Sequence, residues 1–226
     1  MNYTHDGKKY GFTQYRAPLA FDLYGREFQL CSPAADYALR FDDRGFVTLG
    51  ESRSYCETLK NSNDLYICIF GERLSYLVLD LEAGTAVLKR EPETETEFLT
   101  VEGCQPAALP GLTEEMGGTA VRWNFGCGRF LEHVYHEDGS CTCVWSPRAD
   151  KPKTFKTARY YKIRDSFYLV ELDAAGPFNT DIPVGYSTVV LLQDYDRLVA
   201  DGLVYSPALN DCLTVSAYGT APQVLA

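Results

Sequence analysis

Asp64-Leu65-Tyr66-Ile67-Cys68-Ile69-Phe70 is a short apolar and aromatic run behind a cluster of turn residues, Asn61-Ser62-Asn63-Asp64. About one hundred residues later the chain writes it again as Ser166-Phe167-Tyr168-Leu169-Val170-Glu171-Leu172. Both runs are too short for a helix and rich in the residues that fill a pleated surface, so both read as strands. The echo continues outward. Ser75-Tyr76-Leu77-Val78-Leu79 is matched by Ser187-Thr188-Val189-Val190-Leu191, and Thr85-Ala86-Val87 by Arg197-Leu198-Val199. Order and strand length are kept, except that the second copy carries a long loop, Asp173 to Gly185, where the first has only Gly71 to Leu74. Duplication of one meander unit is the economical account.

The same grammar runs along nearly the whole chain. Arg26 to Leu30, Tyr37 to Phe41, Phe46 to Leu49, Phe130 to Tyr135, Cys141 to Trp145 and Ala158 to Ile163 are further strand-like runs. Asp42-Asp43-Arg44-Gly45, Glu82-Ala83-Gly84 and Glu137-Asp138-Gly139-Ser140 between them are hairpin chemistry. Helical periodicity over eleven or more residues is missing, so the sequence predicts an antiparallel all-β protein. Up-and-down strands, about seven or eight to a half, remove their exposed edges by closing into a barrel. The expected architecture is two tandem calycin-like (lipocalin-like) barrels, residues 1–105 and 121–226, joined by a connector at 106–120 that contains Pro106-Ala107-Ala108-Leu109-Pro110-Gly111.

Composition bounds the partners. Among 226 residues the net charge is −10, the wrong sign for the phosphate neutralisation that drives nucleic-acid binding, and it disfavours an anionic membrane surface. No apolar run approaches the ~20 residues of a membrane span, and no signal-peptide succession opens the chain. A cytoplasmic protein is expected, its eight cysteines being reduced thiols and Cys68 a small core hydrophobe. A homodimer is left open.

The stretches Phe21-Asp22-Leu23-Tyr24-Gly25-Arg26-Glu27-Phe28, Asp64 to Phe70 and Ser75 to Ala86 resemble the N-terminal domain of the MoaF family, molybdenum cofactor biosynthesis protein F. Gly128 to Tyr205, with Phe167-Tyr168-Leu169-Val170 and Thr188-Val189-Val190-Leu191-Leu192, resembles that family's C-terminal domain. The resemblance implies a tandem calycin fold; it brings no molybdopterin-binding motif. A more distant similarity is to phenolic acid decarboxylases, whose single barrel works through buried tyrosines, an arginine and a glutamate. Where that family's strand continues into Trp and, two residues on, Glu, this chain has Glu171-Leu172-Asp173-Ala174. Decarboxylase chemistry is therefore not carried over.

Several polar residues in strands are candidates for a site. Read from Ile163, the strand Arg159-Tyr160-Tyr161-Lys162-Ile163 turns Arg159 and Tyr161 inward and Tyr160 and Lys162 outward; the matching strand of the first copy turns Tyr55 and Glu57 inward. With His133 and Tyr135 on one face, the second copy gathers His133, Tyr135 and Tyr161 as acid–base candidates. Arg159, Tyr168, Glu171, Phe178 and Trp145 are its ligand contacts, although Trp145, like Trp123, also reads as a plug of a barrel end. Such a set suits an aromatic, phenolic or carboxylate-bearing molecule, because arginine grips carboxylates and histidine moves protons near neutral pH. Phe178, between Gly176 and Gly185, is placed to close over it. Cys141 and Cys143 share a face near His133, but no paired zinc-ribbon spacing exists, so no metal and no cofactor are expected. The expected function is small-molecule binding in the second barrel. The alternative is a cofactor-free lyase or isomerase using the same cavity, and a purely structural module is a third reading.

Overall fold

The structure, a computed structural model, describes residue 15 and residues 17–70, 74–90, 95–126, 129–146, 153–155, 157–173, 188–207 and 211–225. It is nearly all β, and the 3-10 turn Phe21–Leu23 is the one helical segment among the described residues. No described helix is long and apolar enough to cross a membrane. The chain divides into two units at 111/112, inside the expected connector.

The first unit, 17–111, is a closed antiparallel barrel of eight strands. These are β1 (Glu27–Cys31), β2 (Asp36–Phe41), β3 (Phe46–Leu49), β4 (Ser52–Lys60), β5 (Leu65–Phe70), β6 (Ser75–Asp80), β7 (Thr85–Lys89) and β8 (Glu97–Val101). Each pairs with the next, and β8 returns to β1 through Leu30↔Val101 and Cys31↔Thr100. One face of the strands supplies an apolar core that includes Leu30, Leu39, Phe41, Val47, Cys56, Tyr66, Cys68, Leu77, Leu79, Ala86, Leu88 and Leu99. Burying an aliphatic or aromatic side chain of this kind contributes about 1.5–3 kcal/mol. The opposite face of β5 to β7 is equally buried at Leu65, Ile67, Tyr76, Val78 and Val87. That double burial is why these segments read as continuous apolar runs and not as an alternation.

The second unit, 112–226 together with Tyr15, repeats the plan with additions. At the division lies β9 (Gly111–Leu112). There follow β10 (Thr119–Gly126), β11 (Arg129–Tyr135), β12 (Cys141–Ser146), β13 (Lys153–Phe155), β14 (Thr157–Arg164), β15 (Phe167–Asp173), β16 (Thr188–Asp194), β17 (Val199–Ser206), β18 (Asp211–Gly219) and β19 (Gln223–Val224). The sheet order is β13-β12-β11-β10-β18-β17-β16-β15-β14-β9, with β19 on β10. The sheet curls into a half-barrel, since Tyr135 of β11 bonds Gln193 of β16 and packs on Tyr160 of β14.

The duplication is clearest at one turn. Asp80 ends β6, and its Oδ1 accepts the N–H groups of Glu82 and Ala83; Asp194 ends β16, and its Oδ1 accepts those of Asp196 and Arg197. Each turn closes five residues later on a paired strand start, Asp80↔Thr85 and Asp194↔Val199. The residue before that start has positive φ in both, Gly84 at 69° and Leu198 at 57°. Thr85 therefore corresponds to Val199, two residues beyond the Arg197 that the sequence echo pairs with it.

Candidate functional site

Aligning the two copies on the Asp80 and Asp194 turns shows where their interiors part. Leu79 belongs to the core of the first barrel and Leu81 packs against it, but their counterparts are Gln193 and Tyr195. These polar replacements do not stand alone. Tyr195 donates its hydroxyl to Gln193 Oε1 at 2.8 Å, and Gln193 Nε2 donates to the Tyr135 oxygen at 2.9 Å. The Tyr135 oxygen lies 2.9 Å from His133 Nδ1. On β11, residues 131, 133 and 135 share a face, which is also the face that meets Trp123 and Val121 of β10 and Cys141 and Cys143 of β12 by register. The result is a chain of polar side chains inside the half-barrel, running from His133 to Tyr195.

The proton positions are assigned from the donor–acceptor distances. Gln193 Oε1 already accepts from Tyr195, and the Tyr135 hydroxyl is nearer to His133 Nδ1, 2.9 Å, than to Gln193 Oε1, 3.2 Å. Assigning the Tyr135 hydroxyl proton to the nearer acceptor, Nδ1, puts the imidazole proton on Nε2. That Nε2 is buried without a hydrogen-bond partner, and so is Nε1 of the fully buried Trp123. Burial depresses His133 to a pKa of about 3, so the ring is neutral at physiological pH. Burial likewise pushes the Tyr135 and Tyr195 phenols up, so neither ionises. Trp123 lies against Gly219, where a Cβ would sit 2.5 Å from the indole; only glycine admits the ring there.

Next to this interior is a cleft of about 480 Å³. Its walls include Leu112, Glu114, His136, Asp138, Arg159 and Tyr160. Tyr160 is the shared wall, since its ring meets Tyr135 edge-on at 5.2 Å and its hydroxyl bonds the Ser140 carbonyl. At the rim, Tyr168 donates to Glu115 at 2.7 Å and Lys162 bonds the same carboxylate at 3.0 Å. The Tyr168 and Lys162 bonds hold Glu115 below the ordinary carboxylate range, while burial and the Glu115 contact lift Tyr168 to about 12.

No protein-family model matches the chain, and no curated protein matches its sequence.

The structure brings together only part of the expected set. His133 and Tyr135 share the interior, whereas Arg159, Tyr161 and Glu171 meet on the opposite face. There Glu171 Oε2 lies 3.5 Å from Arg159 and 3.4 Å from the Tyr161 hydroxyl. Tyr160, expected outside, points in. The cause is a bulge: Lys162 pairs with Tyr168 but Arg164 with Phe167, so the Ile163 used to set the register sits where the alternation resets. The first copy shows the same one-residue correction. Cys56 faces the core, Glu57 is buried on the other face, and Tyr55 is exposed against Phe46. Burial on both faces of β4 from Cys56 to Leu59 erased the alternation that would have set it. Phe178 and the loop around it lie outside the described residues, as does the side chain of Trp145. The Cys141 and Cys143 sulfurs are 3.9 Å apart, and no cluster of three or more His, Cys, Asp or Glu among the described residues is placed to hold a metal.

Sequence reading missed Gln193, Tyr195 and Tyr160. The first two emerge only when the Asp80 and Asp194 turns are aligned, because the sequence echo sets Leu79 against Leu191 and not against Gln193.

Proposed function

We propose that the chain is a small-molecule-binding protein of the MoaF-like calycin kind, with its site inside the half-barrel of the second unit. The observation that carries this reading is the contrast between the two interiors. The first is lined by an apolar cluster, while the second holds the His133–Tyr135–Gln193–Tyr195 chain and two buried N–H groups, on His133 and Trp123, without partners. Burying such donors costs about 1–3 kcal/mol each unless something accepts from them. A duplicated fold that keeps one copy apolar and makes the other polar has spent stability on a site.

The lyase or isomerase alternative asks His133 to shuttle a proton near neutral pH. Burial holds its pKa near 3, which favours recognition over acid–base turnover.

Calorimetric titration of the full chain with benzamide, benzoate and phenol tests the reading. Saturable binding of at least one probe, with Kd of about 0.1–10 mM for ligands of this size, and its loss in a folded His133→Phe variant are expected. Absence of saturable binding by all three, or binding indifferent to that substitution, would overturn it.

A further inference from the structure

The charge inventory of this interior narrows the ligand class. Arg159, the cation expected to grip a carboxylate, is turned to the opposite face and lies against Glu171. Lys162 is engaged at the rim by Glu115 and Asp165. Val121, Trp123, Leu131, His133 and Tyr135 on β10 and β11 and Tyr160 and Gln193 across the half-barrel are all uncharged; Lys162 shares their face by register, but at the rim, held by its two carboxylates. A carboxylate placed there would be a buried anion without a counter-charge, which costs several kcal/mol.

What the interior does offer is hydrogen-bond donation by neutral groups. Val121 pairs with His133 and Trp123 with Leu131, so the imidazole and the indole are diagonal neighbours on one face of adjacent strands. Both rings are fully buried, and both have an N–H without an acceptor. Around them stand aromatic rings, with Tyr195 6.0 Å from Trp123 and Tyr135 5.6 Å from His133, centroid to centroid. Neutral donors set among ring faces and edges match a planar molecule that accepts hydrogen bonds without carrying charge.

We infer that the ligand is an uncharged, planar carbonyl compound, such as an amide, ketone, lactone or quinone, whose oxygen accepts from the Nε2–H of His133 and the Nε1–H of Trp123. The inference rests on the proposed interior site and sharpens it, because it excludes the carboxylates that the sequence alone admitted.

Benzamide and benzoate are near-isosteres that differ in charge, and the protein carries its own reporter. Its two tryptophans, Trp123 and Trp145, give two indole N–H signals in a proton–nitrogen correlation spectrum of the 15N-labelled full chain, and a Trp145→Phe variant assigns them. Benzamide is expected to move the Trp123 signal saturably downfield, at a Kd at least tenfold below that of benzoate. His133→Phe should weaken benzamide at least tenfold, while His133→Gln, which keeps an N–H donor, should recover part of the loss. If benzoate moves the Trp123 signal at equal or lower concentration, the neutral-carbonyl assignment is overturned while the interior site stands. If neither probe nor phenol moves it, the site itself is refuted and the assignment with it.

Discussion

Replacing Gln193 with leucine restores what the first copy has at Leu79, and the structure says this reversion should be harmful. Gln193 is fully buried and holds two tyrosine hydroxyls, accepting from Tyr195 at 2.8 Å and donating to Tyr135 at 2.9 Å. In Gln193→Leu the half-buried Tyr195 hydroxyl loses its acceptor at Oε1, and Tyr135 is left with His133 and the neighbouring Tyr195. A stranded buried hydroxyl costs about 1–3 kcal/mol, the half-satisfied Tyr135 lies at the low end, and the leucine returns about 1 kcal/mol of burial. The net expectation is a loss of about 1–3 kcal/mol. Adding Tyr195→Phe removes the stranded group, so Gln193→Leu/Tyr195→Phe should be more stable than Gln193→Leu alone, and the two single losses should exceed the double by about 1–2 kcal/mol. Both tryptophans belong to the second unit, so urea unfolding followed by tryptophan fluorescence reads that unit selectively. The midpoint should move with the slope unchanged. A Gln193→Leu variant within about 0.5 kcal/mol of the parent, or strictly additive substitutions, would refute the idea that this chain of bonds is a coupled unit.

Three further outcomes are expected. Protonating His133 needs unfolding, because its pKa is about 3 folded against ~6.5 unfolded. The unfolded state therefore binds more protons between those values, so stability present above pH ~6.5 is lost as pH falls toward 3, with a slope approaching ~1.4 kcal/mol per pH unit; urea midpoints across that range should show this slope reduced in His133→Gln. Gly84→Ala should destabilise the first barrel by about 2 kcal/mol or more, since φ is 69° and the new Cβ would sit 2.3 Å from Cβ of Cys104. Leu198→Gly at the equivalent turn should leave the second unit within about 1 kcal/mol of the parent, and thermal unfolding of both variants compares them. Arg159→Ala should lower stability, because Glu171 is buried beside it, yet calorimetry should find benzamide bound as in the parent.

The amino-acid sequence by itself determined the fold class. Runs such as Leu65 to Phe70 are too short and too β-rich to be helices, their turns carry Asp, Asn and Gly at the needed places, and the echo in Phe167 to Leu172 repeats one meander. These signals are local, so they survive without knowledge of what lies across the sheet. The exchange of Leu79 and Leu81 for Gln193 and Tyr195 came only from the matched turns at Asp80 and Asp194, which shift the echo by two residues. What each strand residue faces was decided by the tertiary structure. Alternation specifies a face only when one side is wet, and β4, β5, β15 and β16 are buried on both. A single bulge after Lys162 then moved Tyr160 inward and Arg159 and Tyr161 outward. The network from His133 to Tyr195 joins strands far apart in the chain and in the sheet, so only the curl of the half-barrel brings its hydroxyls, amide and imidazole within bonding distance.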